Sequence, residues 1–378
     1  KIWFAIAPYI YKGSYIGWYC VGCEEYKTET HVKDTNSICP DHNRPYDKIQ
    51  EENYFFALSK FTNSIKTSIE NNELQIIPAF RAKEIMSLVN SGLEDSISRS
   101  SSKITWGIPV PGDPTQVMYV WFEALMNYIT VLGYPDSPEF ATYWPADVQV
   151  IGKDILRFHA AIWPAMLQAL NLPLPKVLYV HGHVSSGGKK MSKTLGNVID
   201  PIEVIEKYGL DAFRYYIARH ISSYEDSDFT WSKFENSYNN ELANELGNAV
   251  QRVAAMVMKY QEGVIGKLPE SAHDVGQYHE AIAECRFDKA LEAVWGQVRG
   301  VNQYIEEEKP WIIVKEKDDA HLQEVLAEAV ESLLEIADLL VPFLPDTAKR
   351  IQDIFCDGII RPLKESSLFP KTDVTDKV

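Results

Sequence analysis

Ten consecutive residues, Gly188-Lys189-Lys190-Met191-Ser192-Lys193-Thr194-Leu195-Gly196-Asn197, put ammonium groups and hydroxyls onto one glycine-flanked stretch. Lysine carries a compact point charge on a mobile stem. Serine and threonine hydroxyls donate to anionic oxygens, and flanking glycines let the backbone hinge. Such a loop suits a polyphosphate. An exposed basic turn with no ligand has the same composition, so other segments must decide between the two.

A second set of chemistry-bearing residues is spaced for a metal. Cys20-Val21-Gly22-Cys23 and Cys39-Pro40-Asp41-His42 are knuckles of C-x2-C and C-x2-H type with fifteen residues between them. That spacing turns four donors toward one tetrahedral ion, and zinc (Zn2+) is the expected occupant. All four positions are protein donors, so the site is closed and structural. His42 stands where Cys is commoner, and His31 is the substitute ligand. Cys285 and Cys356 lie in apolar, helical surroundings, where packing is the default role.

Length and composition bound the rest. With 378 residues the expectation is two or three domains, and 46% hydrophobic with 24% charged residues is ordinary globular composition. No apolar run reaches membrane-spanning length and the N-terminus lacks a signal-peptide layout, so a soluble cytoplasmic protein with no membrane partner is expected. The net charge of −16 weighs against a nucleic-acid partner. A global sum says little about local patches, however, and does not exclude tRNA.

These residues need elements to position them. Residues 2–7 form a short apolar run ended by Pro8, as a buried parallel strand would, and a polar helical stretch runs to about residue 99. From Val117 short apolar strands (116–120, 148–152, 177–181) alternate with helical segments (121–132, 154–170), which predicts βαβ units and an α/β fold with a parallel sheet. Residues 232–345 carry long amphipathic patterns, such as Leu322 to Leu340, and read as an all-α bundle. Ligands of such sheets bind beyond the carboxyl ends of the strands. The loops at Gly152-Lys153-Asp154, His181-Gly182-His183 and Lys190 are therefore expected to face one cleft. Trp121, Ala124, Tyr128, Ile155, Phe158, His159 and Trp163 recur at helical spacing on the two helices leaving adjacent strands. They are placed to line its wall, or to be ordinary core.

Four segments in order resemble the second half of the catalytic domain of a class I aminoacyl-tRNA synthetase, specifically the methionyl-tRNA synthetases. They are Val120-Trp121-Phe122-Glu123-Ala124-Leu125-Met126-Asn127-Tyr128, residues 150–164, Val180-His181-Gly182-His183-Val184 and Lys190-Met191-Ser192-Lys193-Thr194. The last resembles the KMSKS signature with Thr for the final Ser. The resemblance runs from about residue 11 to about 320.

The resemblance implies a Rossmann-type catalytic domain with a zinc-knuckle connective insertion, followed by an all-α anticodon-binding bundle. The implied divisions are residues 1–10 for the first strand of the catalytic domain and 11–99 for the insertion. Residues 100–184 would be the second Rossmann half, 185–232 the KMSKS loop and stem-contact fold, and 233–378 the helical domain. It implies activation of L-methionine by ATP, with Mg2+ in the reaction, and transfer to the methionine tRNA. Lys193, Lys190 and Ser192 would be catalytic. Lys190, Lys193, Thr194, Asp154, His181 and Gly182 would bind ATP. Ala7, Tyr9, Trp121, Ala124, Tyr128, Ile155, Phe158, His159 and Trp163 would bind methionine. Asn248 and Arg252, one helical turn apart, together with Trp311 would read the anticodon, and Arg99 would brace an acidic residue that binds the substrate amino group.

One departure is large. In that family the first strand runs into a helix bearing the HIGH signature, and nothing between Ile10 and Tyr11 resembles it. A polypeptide without that stretch loses two or more strands of the sheet and leaves apolar surface bare, so foldability favours a molecule that contains it. If the polypeptide lacks it, the resemblance implies a catalytically impaired tRNA-binding protein of the same fold. A leucyl or cysteinyl enzyme is a further reading. Neither a large editing insertion nor a thiolate zinc ligand in the substrate cleft is in view to support it.

Overall fold

The computed structural model describes residues 1–23, 25–27, 29–40, 42–90, 95–101, 106–191, 196–270, 274–355, 358–360 and 367–372. The chain divides into two compact units, Lys1–Val180 and His181–Val378. No described helix is long and apolar enough to cross a membrane.

In the first unit aromatic and β-branched residues build a long antiparallel ribbon. Ile10–Cys20 pairs with Asp47–Phe56 in unbroken register, from Ile10 opposite Phe56 to Tyr19 opposite Asp47. Glu25–Lys27 and Asp95–Ser96 border it. The near end is anchored by Phe55 and Phe56, both buried. The far end carries the knuckle, where Ile38–Cys39 pairs with Arg44–Pro45.

A second sheet places Asp113–Met118 between Ser98–Ser100 and Pro109–Val110. The third is the α/β sheet, in the order Val148–Gly152, Val177–His181, Gln75–Ile77. Its middle strand runs parallel to Gln75–Ile77 and buries Leu178, Tyr179 and Val180 in succession, as a strand covered on both faces must. The strands expected at 148–152 and 177–181 are both present.

Three expectations fail in this unit. The strand expected at 116–120 in the parallel sheet is Asp113–Met118, antiparallel to both its neighbours and in a sheet separate from Val148–Gly152, and Val120 already begins a helix. Residues 2–7 are not a strand: Ile2–Ile6 is an α-helix, continued by the 3-10 turn Ala7–Tyr9. Trp3 and Ile6, one turn apart, are buried, while Phe4 between them is exposed. That three-residue spacing suits a helix face, and a short apolar run does not by itself distinguish helix from strand. Trp3 sets its ring edge-on to Tyr54 and Phe122, at 5.9 Å from each. The stretch expected to be helical up to about residue 99 is interrupted. Gln75–Ile77 lies between the helices Thr62–Glu70 and Ala79–Asn90 and supplies the sheet's parallel edge. Three residues are too few to show an alternation.

The second unit begins with a small sheet in the order Lys189–Lys190, Val184–Ser186, Ser227–Phe229. Two helices follow the loop, Pro201–Tyr208 and Leu210–His220. The first starts on Asp200, whose side chain accepts from the Ile202 N–H, with Pro201 just inside; this is a standard helix start. From Trp231 onward the described chain is helical, through Trp231–Ser237, a wide π-helical run Tyr238–Gly247, Asn248–Tyr260, Gly276–Ala283, Phe287–Glu308, Pro310–Glu316, Asp319–Leu340 and Pro345–Phe355. These helices share one core with Trp295 and Tyr215 at its centre, ring centroids 4.3 Å apart. The amphipathic pattern read at 322–340 is the inner face of Asp319–Leu340.

Candidate functional site

The helices that follow Asp113–Met118 and Val148–Gly152, strands of two different sheets, bring five of the expected wall residues into one cluster. Val120–Ala124 carries Trp121, and Asn127–Thr130 carries Tyr128. After the Val148–Gly152 strand the chain makes a 3-10 turn, a π-helical turn Phe158–Ile162 and the helix Trp163–Ala169. Pro164 has no N–H and its ring crowds the carbonyl four residues back, so a widened turn immediately before it relieves the clash.

Trp121 stacks on Phe158 (4.7 Å, 13° between planes) and meets His159 edge-on. Tyr128 lies against both His159 and Trp163, at 5.6 and 5.9 Å. Each such ring pair adds about 0.5–1.5 kcal/mol beyond area burial. Trp163 is fully buried, and its indole N–H has no hydrogen-bond partner among the described residues.

The protonation of the cluster follows from its hydrogen bonds. His159 Nδ1 lies 3.0 Å from the Ile155 carbonyl, which only accepts, so Nδ1 carries the proton. Nε2 is then the acceptor, and the Tyr128 hydroxyl, 2.9 Å away, donates to it. Burial holds the His159 imidazolium down, against the opposing pull of the Ile155 carbonyl. The same burial pushes the Tyr128 phenol up. Both groups are neutral at physiological pH, and the wall is apolar in character despite its two polar tips.

The remaining wall residues are placed differently. Ile155 contributes its carbonyl and a half-buried side chain, and Ala124 is exposed at the end of its short helix. Ala7 is exposed, and Tyr9 packs on Phe61 at 4.8 Å with the Lys60 ammonium over its ring. Sequence reasoning missed two further rings. Tyr119 approaches Phe158, and Trp144 meets Trp163 edge-on at 5.9 Å. Neither sits at the helical spacing that revealed the others.

Asp154 is exposed on the 3-10 turn just past the Val148–Gly152 strand. In the second unit, His181 ends its strand and its Nδ1 donates to the Gly182 carbonyl. A side chain on Gly182 would meet the Glu225 backbone at 2.2 Å, so the absence of a Cβ there admits the 225–226 segment. Lys189 and Lys190 are exposed at the end of a hairpin that pairs Ser185 with Lys190 and Ser186 with Lys189. Ser192, Lys193 and Thr194 lie outside the described residues, as does the Arg99 side chain.

The knuckle brings its four donors together. Cys20, Cys23, Cys39 and His42 place their ligand atoms within 4.8 Å of one another. Cys23 Sγ is 3.5 Å from Cys39 Sγ and 3.4 Å from His42 Nδ1, and Cys39 Sγ is 3.6 Å from that nitrogen. A tetrahedral ion with bonds of about 2.0–2.3 Å spaces its donors at about 3.5–3.8 Å, so the set fits. Burial, then hydrogen bonds that the Cys23 thiol donates toward Cys20 and Cys39, push it up to about 12. Thiols gathered this closely ionise only with a cation among them. Gly22 is required here, because a Cβ would lie 2.5 Å from the His42 ring. His31 bonds instead to the Tyr46 hydroxyl, 3.2 Å away, and is not among the four. Of the cysteines read as packing, Cys285 is buried, and Cys356 lies outside the described residues.

In the helical region Arg252 and Trp311 meet: the guanidinium sits 5.5 Å above the indole and is paired with Glu306 at 2.5 Å. Asn248 is exposed one turn before Arg252 on the same helix.

Comparison with known proteins adds a family to this geometry. Residues 42–254 match the family described as tRNA synthetases class I (M). The methionine–tRNA ligase of Thermotoga maritima is 40% identical over 357 residues, which is 90% of this chain and 56% of that protein. The methionine–tRNA ligase of Streptomyces coelicolor is 42% identical over 367 residues, covering 91% and 68%. The chain thus spans little more than half the length of the first of these relatives. A Mycobacterium tuberculosis methionyl-tRNA synthetase solved in complex with methionyl-adenylate superposes with a TM-score of 0.87 at 33% identity, covering 98% of this chain and 79% of that one. A match over more than half the chain, with identities of about 40% to these ligases, leads to one conclusion: the chain belongs to the tRNA synthetases of class I (M).

Proposed function

We propose that the chain is the methionine-selecting and tRNA-contacting part of a methionine–tRNA ligase. It would activate L-methionine with ATP to methionyl-adenylate and pyrophosphate, and then pass the methionyl group to the 3′ end of its tRNA. The observation that carries this reading is the neutral ring cluster of Trp121, Tyr128, Phe158, His159 and Trp163. A thioether is polarizable and a weak acceptor, and aromatic rings hold it by contact rather than by a strong bond. An imidazolium at His159 would demand an anion or water; the neutral ring with its lone pair already occupied by Tyr128 asks for neither. Ala124 and Ile155 would complete the side-chain pocket, and Ala7 and Tyr9 would border it.

In the first step a methionine carboxylate oxygen attacks the α-phosphorus of ATP, the new P–O bond forms and the bond to pyrophosphate breaks. Negative charge accumulates on the departing pyrophosphate, and preorganised cations lower the barrier there. Lys193 is assigned the leading role, Lys190 the second, with the Ser192 and Thr194 hydroxyls assisting. Asp154 would accept from ribose hydroxyls, and His181 and Gly182 would pack the nucleoside. Mg2+, bound with the nucleotide, would supply further neutralisation of the phosphates.

The finer architecture belongs to this proposal. It comprises a Rossmann-type catalytic half, a connective insertion at 11–99 holding Zn2+ on Cys20, Cys23, Cys39 and His42, and an anticodon-reading bundle in which Asn248, Arg252 and Trp311 meet unstacked bases.

Methionine-dependent exchange of labelled pyrophosphate into ATP tests the reading. Exchange that requires methionine supports it. Tight binding of methionine tRNA with no exchange would support the second reading, a tRNA-binding protein of this fold without adenylation chemistry. That reading is favoured by the lack of any HIGH-like stretch next to Ile10.

A further inference from the structure

We propose that Asp228 and Asn197 are positioning residues that fix the Lys189–Lys190 hairpin from outside, setting where the two lysines are presented to a polyphosphate. The inference rests on the polyphosphate reading of this loop given above. The hairpin alone is poorly determined. Its turn is Gly187-Gly188, at φ +62° and +71°, and an added Cβ at either glycine would meet nothing within 4 Å. Glycine is there for its backbone conformation, and two in succession leave a turn with much freedom to lose.

Asp228 removes that freedom from one side. It lies on Ser227–Phe229, which pairs in parallel with Val184–Ser186 and sets Asp228 beside Ser185. One carboxylate oxygen, Oδ1, accepts from both the Gly188 N–H and the Ser185 hydroxyl, each at 2.8 Å. It thereby ties the turn itself to a strand forty residues later in the chain. Hydrogen bonds to a charged acceptor are the stronger class.

Asn197 holds the opposite side. Lys189–Lys190 is an edge strand of its sheet, with carbonyls left over for a partner. The two N–H groups of the Asn197 amide are shared among three of the hairpin's carbonyls, those of Ser186, Lys189 and Lys190, at 3.3, 3.5 and 3.2 Å. Asp228 and Asn197 both act on the backbone from which the Lys190 side chain departs.

Limited trypsinolysis of the full chain, with cleavage after Lys189 and Lys190 mapped by mass spectrometry, reads this anchoring directly. Asp228→Ala is expected to speed cleavage at those two bonds roughly tenfold, the size of one lost charge-assisted contact in a local opening, and Asn197→Ala, which removes neutral amide contacts, about threefold. Cleavage elsewhere and the thermal midpoint should hold. Asp228→Asn keeps an acceptor oxygen without the charge and should fall between the parent and Asp228→Ala. In pyrophosphate exchange the alanine variants should raise KM for ATP and leave KM for methionine unchanged. Unaltered cleavage at Lys189 and Lys190 in both alanine variants, or acceleration at every site alike, overturns the proposal. If instead the variants are cleaved faster but the parent chain shows neither exchange nor protection of these bonds by ATP, the polyphosphate reading falls and the anchoring stands.

Discussion

The ring cluster at 121–163 and the lysine hairpin at 184–190 are built on opposite plans. The cluster is held by packing. Trp163 is fully buried, His159 is 2% exposed, and every ring leans on another ring. The hairpin is held by a few polar contacts to its backbone, and its lysine side chains are exposed. Selecting a small apolar side chain requires fixed walls, because a methylene is worth only about 1–3 kcal/mol of discrimination. Neutralising a leaving phosphate requires a charge that water can hold until the ligand arrives. Stability and function should therefore separate when the two regions are perturbed.

The largest expected effect is in the cluster. Trp163→Ala should destabilise the chain by about 3–5 kcal/mol, as emptying a buried aromatic site does, measured by urea unfolding. A loss below about 1 kcal/mol would mean the wall collapses without cost and is not rigid. Tyr128→Phe removes the donor to His159 Nε2 and leaves a buried acceptor unmet, which costs about 1–3 kcal/mol. Calorimetric titration with methionine should also show weaker binding.

The third test is a slope with pH. The folded pKa of His159 is lowered by burial, so the unfolded chain binds the extra proton first, and stability falls as pH drops below about 6.5 toward the folded value. Relative to the parent, His159→Gln should flatten that part of the stability curve, and an unchanged slope would mean the imidazole accepts a proton in place. The smallest effect on stability, within about 0.5 kcal/mol, is expected for Lys190→Ala, although it should weaken protection of the loop by ATP severalfold. If this substitution destabilised the chain as much as Tyr128→Phe, the contrast between the two regions would not hold.

The same contrast explains what could be read in advance. The cluster was legible because Trp121, Tyr128, Phe158, His159 and Trp163 keep helical spacing, and the knuckle because its donors are close in sequence. Tyr119, Trp144 and Asp228 gave no such signal; each acts through contacts that only the fold creates, Asp228 across forty residues. The helix at Ile2–Ile6 was misread because five apolar residues fit either period. The ribbon of Ile10–Cys20 with Asp47–Phe56 escaped notice because much of it lies in water on both faces, so its polar and apolar residues follow no burial pattern. Its register also bears on the HIGH question: Ile10 and Tyr11 pair with Phe56 and Phe55 as successive rungs of one strand, so anything inserted between them must leave and re-enter at the ribbon's end.

The widened turn at Phe158–Ile162 bears on how such a wall changes over time. A π turn holds about one residue more than an α turn, so deleting that residue closes it to an α turn and leaves the helix beyond in phase, whereas a deletion in a regular α-helix turns everything downstream by about 100°. Trp163 would keep its face while Phe158 and His159 moved within the turn. A single-codon deletion there redraws one side of the ring cluster and spares the other.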